Sequence, residues 1–150
     1  MRTEFILNGE KVCADVSPNE NLLTTLRKLK CLSVKEGCLE GSCGACTVWL
    51  DQKPVLSCLI QTVRIAGHEV MTLEGVQDDA LVLGRYLLDE ASEQCGYCIP
   101  GLMMTVLALK KQNPHPTDAE IDEWINGNLC RCSGYQSRRR AIRKYFEEMS

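Results

Sequence analysis

The sequence contains few aromatic residues, few histidines and no long apolar run. Aromatic residues make up 5% of its 150 residues, and two residues are histidine. No apolar stretch is long enough to span a bilayer, and the first residues have neither an apolar signal core nor a twin-arginine pair. A formal net charge of −3 argues against a nucleic-acid-binding protein, which would normally have a basic excess. We therefore expect a cytoplasmic protein whose core rests on Leu, Ile, Val and Met.

Cysteine, in contrast, is abundant. The chain has ten cysteines, and eight of them form two sets of four. Without an export signal, this density indicates metal ligation rather than disulfide bonds. A chain of this length can form one domain or two small ones, and small cores usually need a staple such as a metal cluster. The bulk composition thus predicts a soluble protein stabilised by metal sites.

The first set has the plant-type [2Fe–2S] spacing, in which C-x4-C-x2-C is followed by one more cysteine. Its members are Cys38, Cys43, Cys46 and Cys58. Glycines interleave with the first three and would let the loop curve tightly and point its amides at sulfur. Zinc is the alternative metal, but it prefers C-x2–4-C pairs. Three cysteines on one glycine-rich loop therefore favour a [2Fe–2S] cluster.

The second set combines a C-x2-C pair with a C-x-C pair. Its members are Cys95, Cys98, Cys130 and Cys132. Taken alone, this pattern fits either zinc or a second [2Fe–2S] cluster. Helices that start near Pro100 and Gly134 would direct their positive dipole ends towards the thiolates, and Arg131 adds positive charge between two of the cysteines. These features favour iron–sulfur ligation here as well.

The local patterns divide the chain into a strand-rich half and a helical half. Before Gly75 they predict a hairpin of residues 3–7 and 11–16 around Asn8-Gly9, an amphipathic helix with Leu22, Leu23, Leu26 and Leu29 on one face, a hairpin of 46–50 and 54–60, and a strand at 69–73. We expect these segments to form a small mixed sheet with one helix packed across it.

After residue 80 the patterns predict four helices, near residues 80–92, 100–112, 118–127 and 135–148. Pro100 suits the first turn of the second, and Thr117 with Glu120 forms a capping box that opens the third. The change of pattern near Gly75 predicts two domains, residues 1–75 and 76–150. The second set of cysteines would then join two helix–loop–helix units.

Several other residues have simpler interpretations. Cys13 and Cys31 are predicted to be small buried hydrophobes. His68 and His115 lie in loops away from any acid and are expected at the surface. Five basic residues near the end of the chain are interpreted as a solvated helix face, with docking to a partner as the alternative: Arg138, Arg139, Arg140, Arg143 and Lys144. Trp49 and Trp124 occupy apolar positions and are expected in the core.

Three segments resemble the iron–sulfur subunit of xanthine-oxidase-family molybdenum hydroxylases. Residues 36–48 (EGCLEGSCGACTV) resemble its first-cluster loop, and residues 94–101 (QCGYCIPG) and 127–135 (GNLCRCSGY) resemble the two parts of its second-cluster motif. Residues 72–75 resemble the segment between its domains. The likeness covers essentially the whole chain. It implies an α+β fold, with an N-terminal ferredoxin-like β-grasp domain followed by a C-terminal four-helix domain, each holding one [2Fe–2S] cluster.

The resemblance also implies a function. In that family the subunit is the non-catalytic, electron-transfer part of an oxidoreductase, and a large partner subunit carries a molybdenum–pterin cofactor. Electrons leave through the helical-domain cluster and then the β-grasp cluster, to a flavin-binding subunit or domain or another acceptor. The family pattern places Gln94 and Cys132 beside the pterin. One departure is Ile99, which stands where threonine is common and leaves every ligand in place.

Two other functions are compatible with the cysteines alone. A free-standing ferredoxin-like electron carrier would need the first set but not a second cluster whose flanking Gln94 matches a pterin contact. A zinc-stabilised interaction module would be colourless, whereas [2Fe–2S] proteins are red-brown. The substrate of a molybdenum complex does not follow from this chain.

Overall fold

The computed structural model describes residues 1–149, and these residues form one five-stranded sheet and five α-helices. The strands are β1 (Arg2–Leu7), β2 (Glu10–Asp15), β3 (Thr47–Leu50), β4 (Lys53–Leu56) and β5 (Glu69–Met71). The helices are α1 (Leu22–Lys28), α2 (Gln77–Asp89), α3 (Ile99–Gln112), α4 (Asp118–Ile125) and α5 (Gln136–Met149). The predicted α+β fold is confirmed. Across the described residues, no helix is long and apolar enough to cross a membrane.

The sheet is mixed and has the order β2-β1-β5-β3-β4. β1 and β5 are parallel, and the other neighbouring strands are antiparallel. Asn8 and Gly9 have φ values of 52° and 85°, as a type I′ turn requires. The predicted first hairpin is therefore confirmed, and its register places Phe5 opposite Val12.

Helix α1 packs across the sheet and closes the first core. Asn21 caps it by accepting a hydrogen bond from the Thr24 amide at 2.9 Å. Leu22, Leu23 and Leu26 are buried, as their helical spacing predicts. Leu29 is only partly buried, because it is the C-cap residue rather than part of the helix.

The second core is built around α3, which is buried from Ile99 through Leu109 except at Pro100. The other helices pack against α3 or against one another. Thr117 and Glu120 form the predicted capping box at the start of α4, with both reciprocal hydrogen bonds present. Four helices therefore follow the sheet, as expected from the apolar periodicity.

The two cores meet in a buried interface. Trp49 lies on β3 but belongs to the helical core, where its indole Nε1 donates to the Met104 carbonyl at 2.8 Å. A side chain at Gly101 would place its Cβ 2.2 Å from the Gly44 carbonyl oxygen. Glycine at this position thus lets α3 approach the loop that carries the first cysteine set.

Several sequence-based expectations differ from the structure, three of them in the strand-rich half. The predicted strand 54–60 ends at Leu56, because the chain turns there into a 3₁₀ segment (Ser57–Leu59) in which the Ile60 amide donates to the Ser57 carbonyl at 3.4 Å. Cys13 is exposed, because it points outward on β2. His68 is at the surface but lies beside an acid, with its Nδ1 2.5 Å from Asp51 Oδ2.

Candidate metal centres

The first cysteine set is assembled as two pairs of thiols. Cys38 contacts Cys43, and Cys46 contacts Cys58. Three of these cysteines lie on the loop before β3, and the 3₁₀ turn after β4 brings Cys58 to them. An electrostatic interaction between Cys58 and Cys38 indicates that the two pairs lie near one another. The fold thus gathers all four predicted ligands.

The backbone of the first cysteine loop curves closely around the thiols. Leu39, Gly41 and Gly44 have φ values of 61°, 81° and 72°, which belong to the left-handed region that favours glycine. A Cβ at Gly37 would lie 2.7 Å from Cys43 Sγ. The Ser42 amide donates to Cys38 Sγ at 3.3 Å. The loop therefore leaves space for sulfur and directs backbone donors at it, as an anionic cluster requires.

The second set also forms two pairs. Cys95 and Cys132 have their Sγ atoms 3.7 Å apart, and Cys98 contacts Cys130. Cys98 is the N-cap residue of α3, so its sulfur lies at the positive end of the helix dipole. The predicted meeting of the two interhelical loops is therefore present in the structure.

Hydrogen bonds to sulfur concentrate on Cys130. The amide and the hydroxyl of Ser133 each donate to its Sγ at 3.3 Å, and the Cys132 amide donates at 3.4 Å. Tyr135 accepts from the Cys130 amide at 2.9 Å through its phenolic oxygen. These contacts hold the C-x-C segment in one conformation around the sulfur.

Hydrogen bonds lower the pKa of Cys38 in the first set and of Cys130 in the second. The Ser42 hydroxyl is the main group that lowers the pKa of Cys38 to about 6. Burial opposes ionisation of Cys130, but the Ser133 hydrogen bonds outweigh it and lower the pKa to about 6. Burial, reinforced by Cys46, raises the pKa of Cys58 to about 11. A thiolate is the form that ligates metal, so each site offers one ready ligand.

The paired arrangement suits two irons better than one zinc ion. A structural zinc ion draws four ligands to a single point, whereas the thiols of each set here are arranged as two pairs. A four-cysteine [2Fe–2S] cluster takes two thiolates at each iron. The pairs therefore fit this cluster in both sites.

The two sites differ in which thiols face solvent. In the first, Cys46 and Cys58 are buried while Cys38 and Cys43 are partly exposed. In the second, Cys95 and Cys132 are exposed, and Gln94 beside them is exposed as well. The residues that the resemblance places at a pterin thus lie together at an open edge of the second site.

Hydrogen bonds link the chain segments that carry the two sites. The Leu129 amide donates to the Cys43 carbonyl at 3.0 Å, and Leu129 is bonded directly to Cys130. Asn128 Nδ2 donates to the neighbouring Gly44 carbonyl at 3.2 Å. Predicted ligand residues of both sites are therefore joined by a short route of covalent bonds and one hydrogen bond.

Arg138 is a site residue that its interpretation as part of a solvated face missed. It is 1% exposed, and its Nη2 donates to Cys98 Sγ at 2.8 Å. The spacing of the buried α5 residues could have revealed it, because Ala141, Ile142 and Tyr145 follow it at i+3, i+4 and i+7. The prediction was wrong because it treated all the basic residues as exposed, although Arg138 shares the buried face of α5 with these apolar residues.

Comparison with known proteins agrees with this geometry. A family model described as "2Fe-2S iron-sulfur cluster binding domain" matches residues 5–68, and one described as "[2Fe-2S] binding domain" matches residues 72–143. The chain is 44% identical to the nicotinate dehydrogenase small FeS subunit of Eubacterium barkeri, over 91% of this chain and 89% of that protein. The chain belongs to the iron–sulfur subunits of the xanthine oxidase family. It is an electron-transfer subunit with two [2Fe–2S]-binding domains.

Solved structures show the same fold in two settings. Quinoline 2-oxidoreductase from Pseudomonas putida 86 contains a chain that is 31% identical, with a TM-score of 0.87, and the match covers 99% of this chain and 96% of that one. The aldehyde oxidoreductase of Desulfovibrio desulfuricans is 35% identical with a TM-score of 0.90, but the match covers only 17% of that chain. The same unit therefore occurs both as a separate subunit and as part of a longer chain.

Proposed function

We propose that this chain is the electron-transfer subunit of a molybdenum hydroxylase complex, bound to a large subunit that holds a molybdenum–pterin cofactor. The observation that carries the proposal is the pair of thiol sites joined through the Leu129 amide and the Cys43 carbonyl. When bound, the clusters would carry electrons singly from the partner's molybdenum site, the helical-domain cluster first, towards a flavin-binding subunit or domain or another acceptor.

The ligand assignment follows the observed pairs. Cys38, Cys43, Cys46 and Cys58 would hold the first cluster, and Cys95, Cys98, Cys130 and Cys132 the second. The two family matches, which meet between residues 68 and 72, support the proposed domains 1–75 and 76–150. A cytoplasmic location stays a prediction of the sequence.

The open edge of the second site supports a pterin contact. Gln94 and Cys132 are both exposed there, and a glutamine amide can donate and accept hydrogen bonds along a pterin edge. A free-standing carrier would need no pterin contact at this position. The order of the clusters, with the helical one nearest molybdenum, rests on this edge.

The proposal is tested by purifying the chain from its native host and analysing what it carries. We expect about four irons and four acid-labile sulfides per chain, together with a larger molybdenum-containing subunit. A chain that carries half that iron together with stoichiometric zinc would show that the second site binds zinc, which would contradict the proposed second cluster. Full iron content in a chain that purifies alone would support the free-standing carrier instead.

A further inference from the structure

Arg138 is a charged side chain buried without a carboxylate partner. It is 1% exposed, and no Asp or Glu in the described part of the chain forms an ion pair with it. Its Nη2 binds Cys98 Sγ, while Nε and Nη1 have no hydrogen-bond partner within residues 1–149. A guanidinium keeps its charge in proteins, and burying it is costly unless an anion compensates.

The position of Arg138 on α5 adds to that cost. It lies in the first turn of Gln136–Met149, where the helix dipole favours negative rather than positive charge. The four basic side chains that follow it, up to Lys144, each reach a surface carboxylate. Arg138 is buried, has no acidic partner and lies at the wrong end of the helix dipole for a positive charge. An anion at the Cys98 end of the guanidinium would offset these three costs.

We propose that Arg138 raises the reduction potential of the cluster held by the second cysteine set. This inference rests on the proposed function, because it requires a [2Fe–2S] cluster at that site. A cluster with four thiolate ligands is anionic and gains one more negative charge when it accepts one electron from a donor such as the partner subunit. Positive charge and hydrogen bonds at sulfur favour the more negative form, and burial strengthens the interaction.

Backbone amides donate to sulfur at both sites, but only the second site adds a charged side chain among the sulfur contacts of the described residues. At the first site, sulfur receives backbone amides, such as that of Ser42 on Cys38. At the second, a full positive charge lies 2.8 Å from Cys98 Sγ. Because the guanidinium is buried, salt screens it much less than it screens the exposed arginines of α5.

The test is a redox titration of the loaded chain, purified with its partner and followed by electron paramagnetic resonance with dithionite as reductant. The second cluster's signal is assigned as the one altered in Cys130→Ser. In Arg138→Met we expect the reduced-to-oxidised ratio of this cluster at a fixed potential to fall at least tenfold, which is a midpoint about 59 mV more negative for one electron. Arg138→Lys keeps the charge and should recover part of the shift.

Arg140→Met is the matched control, because it removes a charge from the same helix at an exposed ion pair with Glu90. It should leave both midpoints unchanged, and the first cluster should not respond to Arg138→Met. Equal second-cluster midpoints in wild type and in Arg138→Met and Arg138→Gln, with iron retained, would overturn this inference alone. Failure of all Arg138 variants to hold the second cluster would replace potential tuning with a structural requirement and also overturn it. A wild-type chain without a second cluster would instead refute the proposed function.

Discussion

The two cysteine sites solve one electrostatic problem with different parts of the chain. The first is enclosed by a single glycine-rich loop, whose positive φ values bring backbone donors to sulfur. The second lies between two interhelical loops and relies on Ser133 and on the buried charge of Arg138. The first encloses Cys46 and Cys58, whereas the second leaves Cys95 and Cys132 open. The difference leaves two thiols of the second site accessible at the surface, where the proposed partner subunit would bind.

Removing a predicted ligand of one site should have the largest effect on the difference between the two halves. Cys43→Ser should abolish the first cluster and destabilise the strand-rich half, because metal-binding free energy is folding free energy in small domains. The Leu129–Cys43 hydrogen bond predicts that some loss of amide protection spreads to residues 127–130, while most of α3 stays protected. Iron analysis and hydrogen exchange measure both effects.

The control for this variant is Cys13→Ser, which changes an exposed cysteine outside both sets. It should retain all iron and all protection. Equal loss of protection throughout both halves of Cys43→Ser would show that the two sites do not stabilise separate domains.

Disturbing the close packing of α3 against the first cysteine loop should have the next largest effect on stability. In Gly101→Ala, the new Cβ would meet backbone atoms, the Gly44 oxygen at 2.2 Å and Ala45 Cα at 3.0 Å. We expect the free energy of unfolding to fall by roughly 2–3 kcal/mol, since overpacking against backbone forces a shift of α3 from the first loop. Chemical denaturation of the loaded chain measures it.

Gly84→Ala is a matched helical control. Its Cβ would meet only the flexible end of Met103, at 3.3 Å. Because alanine is favoured over glycine in a helix, the variant should be neutral or more stable by about 0.5–1 kcal/mol. Equal destabilisation of the two variants would contradict a tight contact between α3 and the first loop.

A smaller effect on stability is expected from Glu74, a partly buried carboxylate in the first half. Glu74 accepts hydrogen bonds from the Ser33 amide and hydroxyl, at 2.9 and 2.6 Å, and from the Thr72 hydroxyl. Burial opposes ionisation, but these bonds outweigh it and hold the pKa of Glu74 below its usual range. Its contribution to stability is therefore present above its unfolded-state pKa and is lost as the pH falls through the lower folded-state pKa.

Glu74→Gln should lower the free energy of unfolding by about 1 kcal/mol near neutral pH. The difference in unfolding free energy between wild type and this variant should shrink at acidic pH. Denaturation at several pH values measures this gap. The exposed Glu123→Gln serves as the control and should behave as wild type. A gap in Glu74→Gln that stayed constant down to strongly acidic pH would contradict the proposed ionised hydrogen-bond acceptor.

Local signals in the sequence predicted much of this fold. Asn8-Gly9 has positive φ at both positions, as its turn type demands, and Thr117 forms its capping box with Glu120. The cysteine spacings predicted two sites because each motif is held by a short segment. These features depend on neighbours a few residues away, so the sequence pattern carries them directly.

Features that depend on distant neighbours were not predictable in this way. Tyr97 binds the Glu36 carbonyl at 2.7 Å, across residues far apart in the chain. The burial of Arg138 depends on where α5 meets Cys98. The strand predicted for residues 54–60 ends at Leu56, where the 3₁₀ turn Ser57–Leu59 carries Cys58 towards the first cysteine loop. Only the packing of separate elements decides such contacts.

The order of the two sites along the electron route is tested most directly by magnetic coupling between Mo(V) and each reduced cluster in the assembled complex. The account predicts stronger coupling to the cluster held by the second set, which lies at the open edge with Gln94 and Cys132. Gln94→Ala should slow reduction of that cluster without loss of iron. Stronger coupling to the cluster held by the first set would contradict the proposed route.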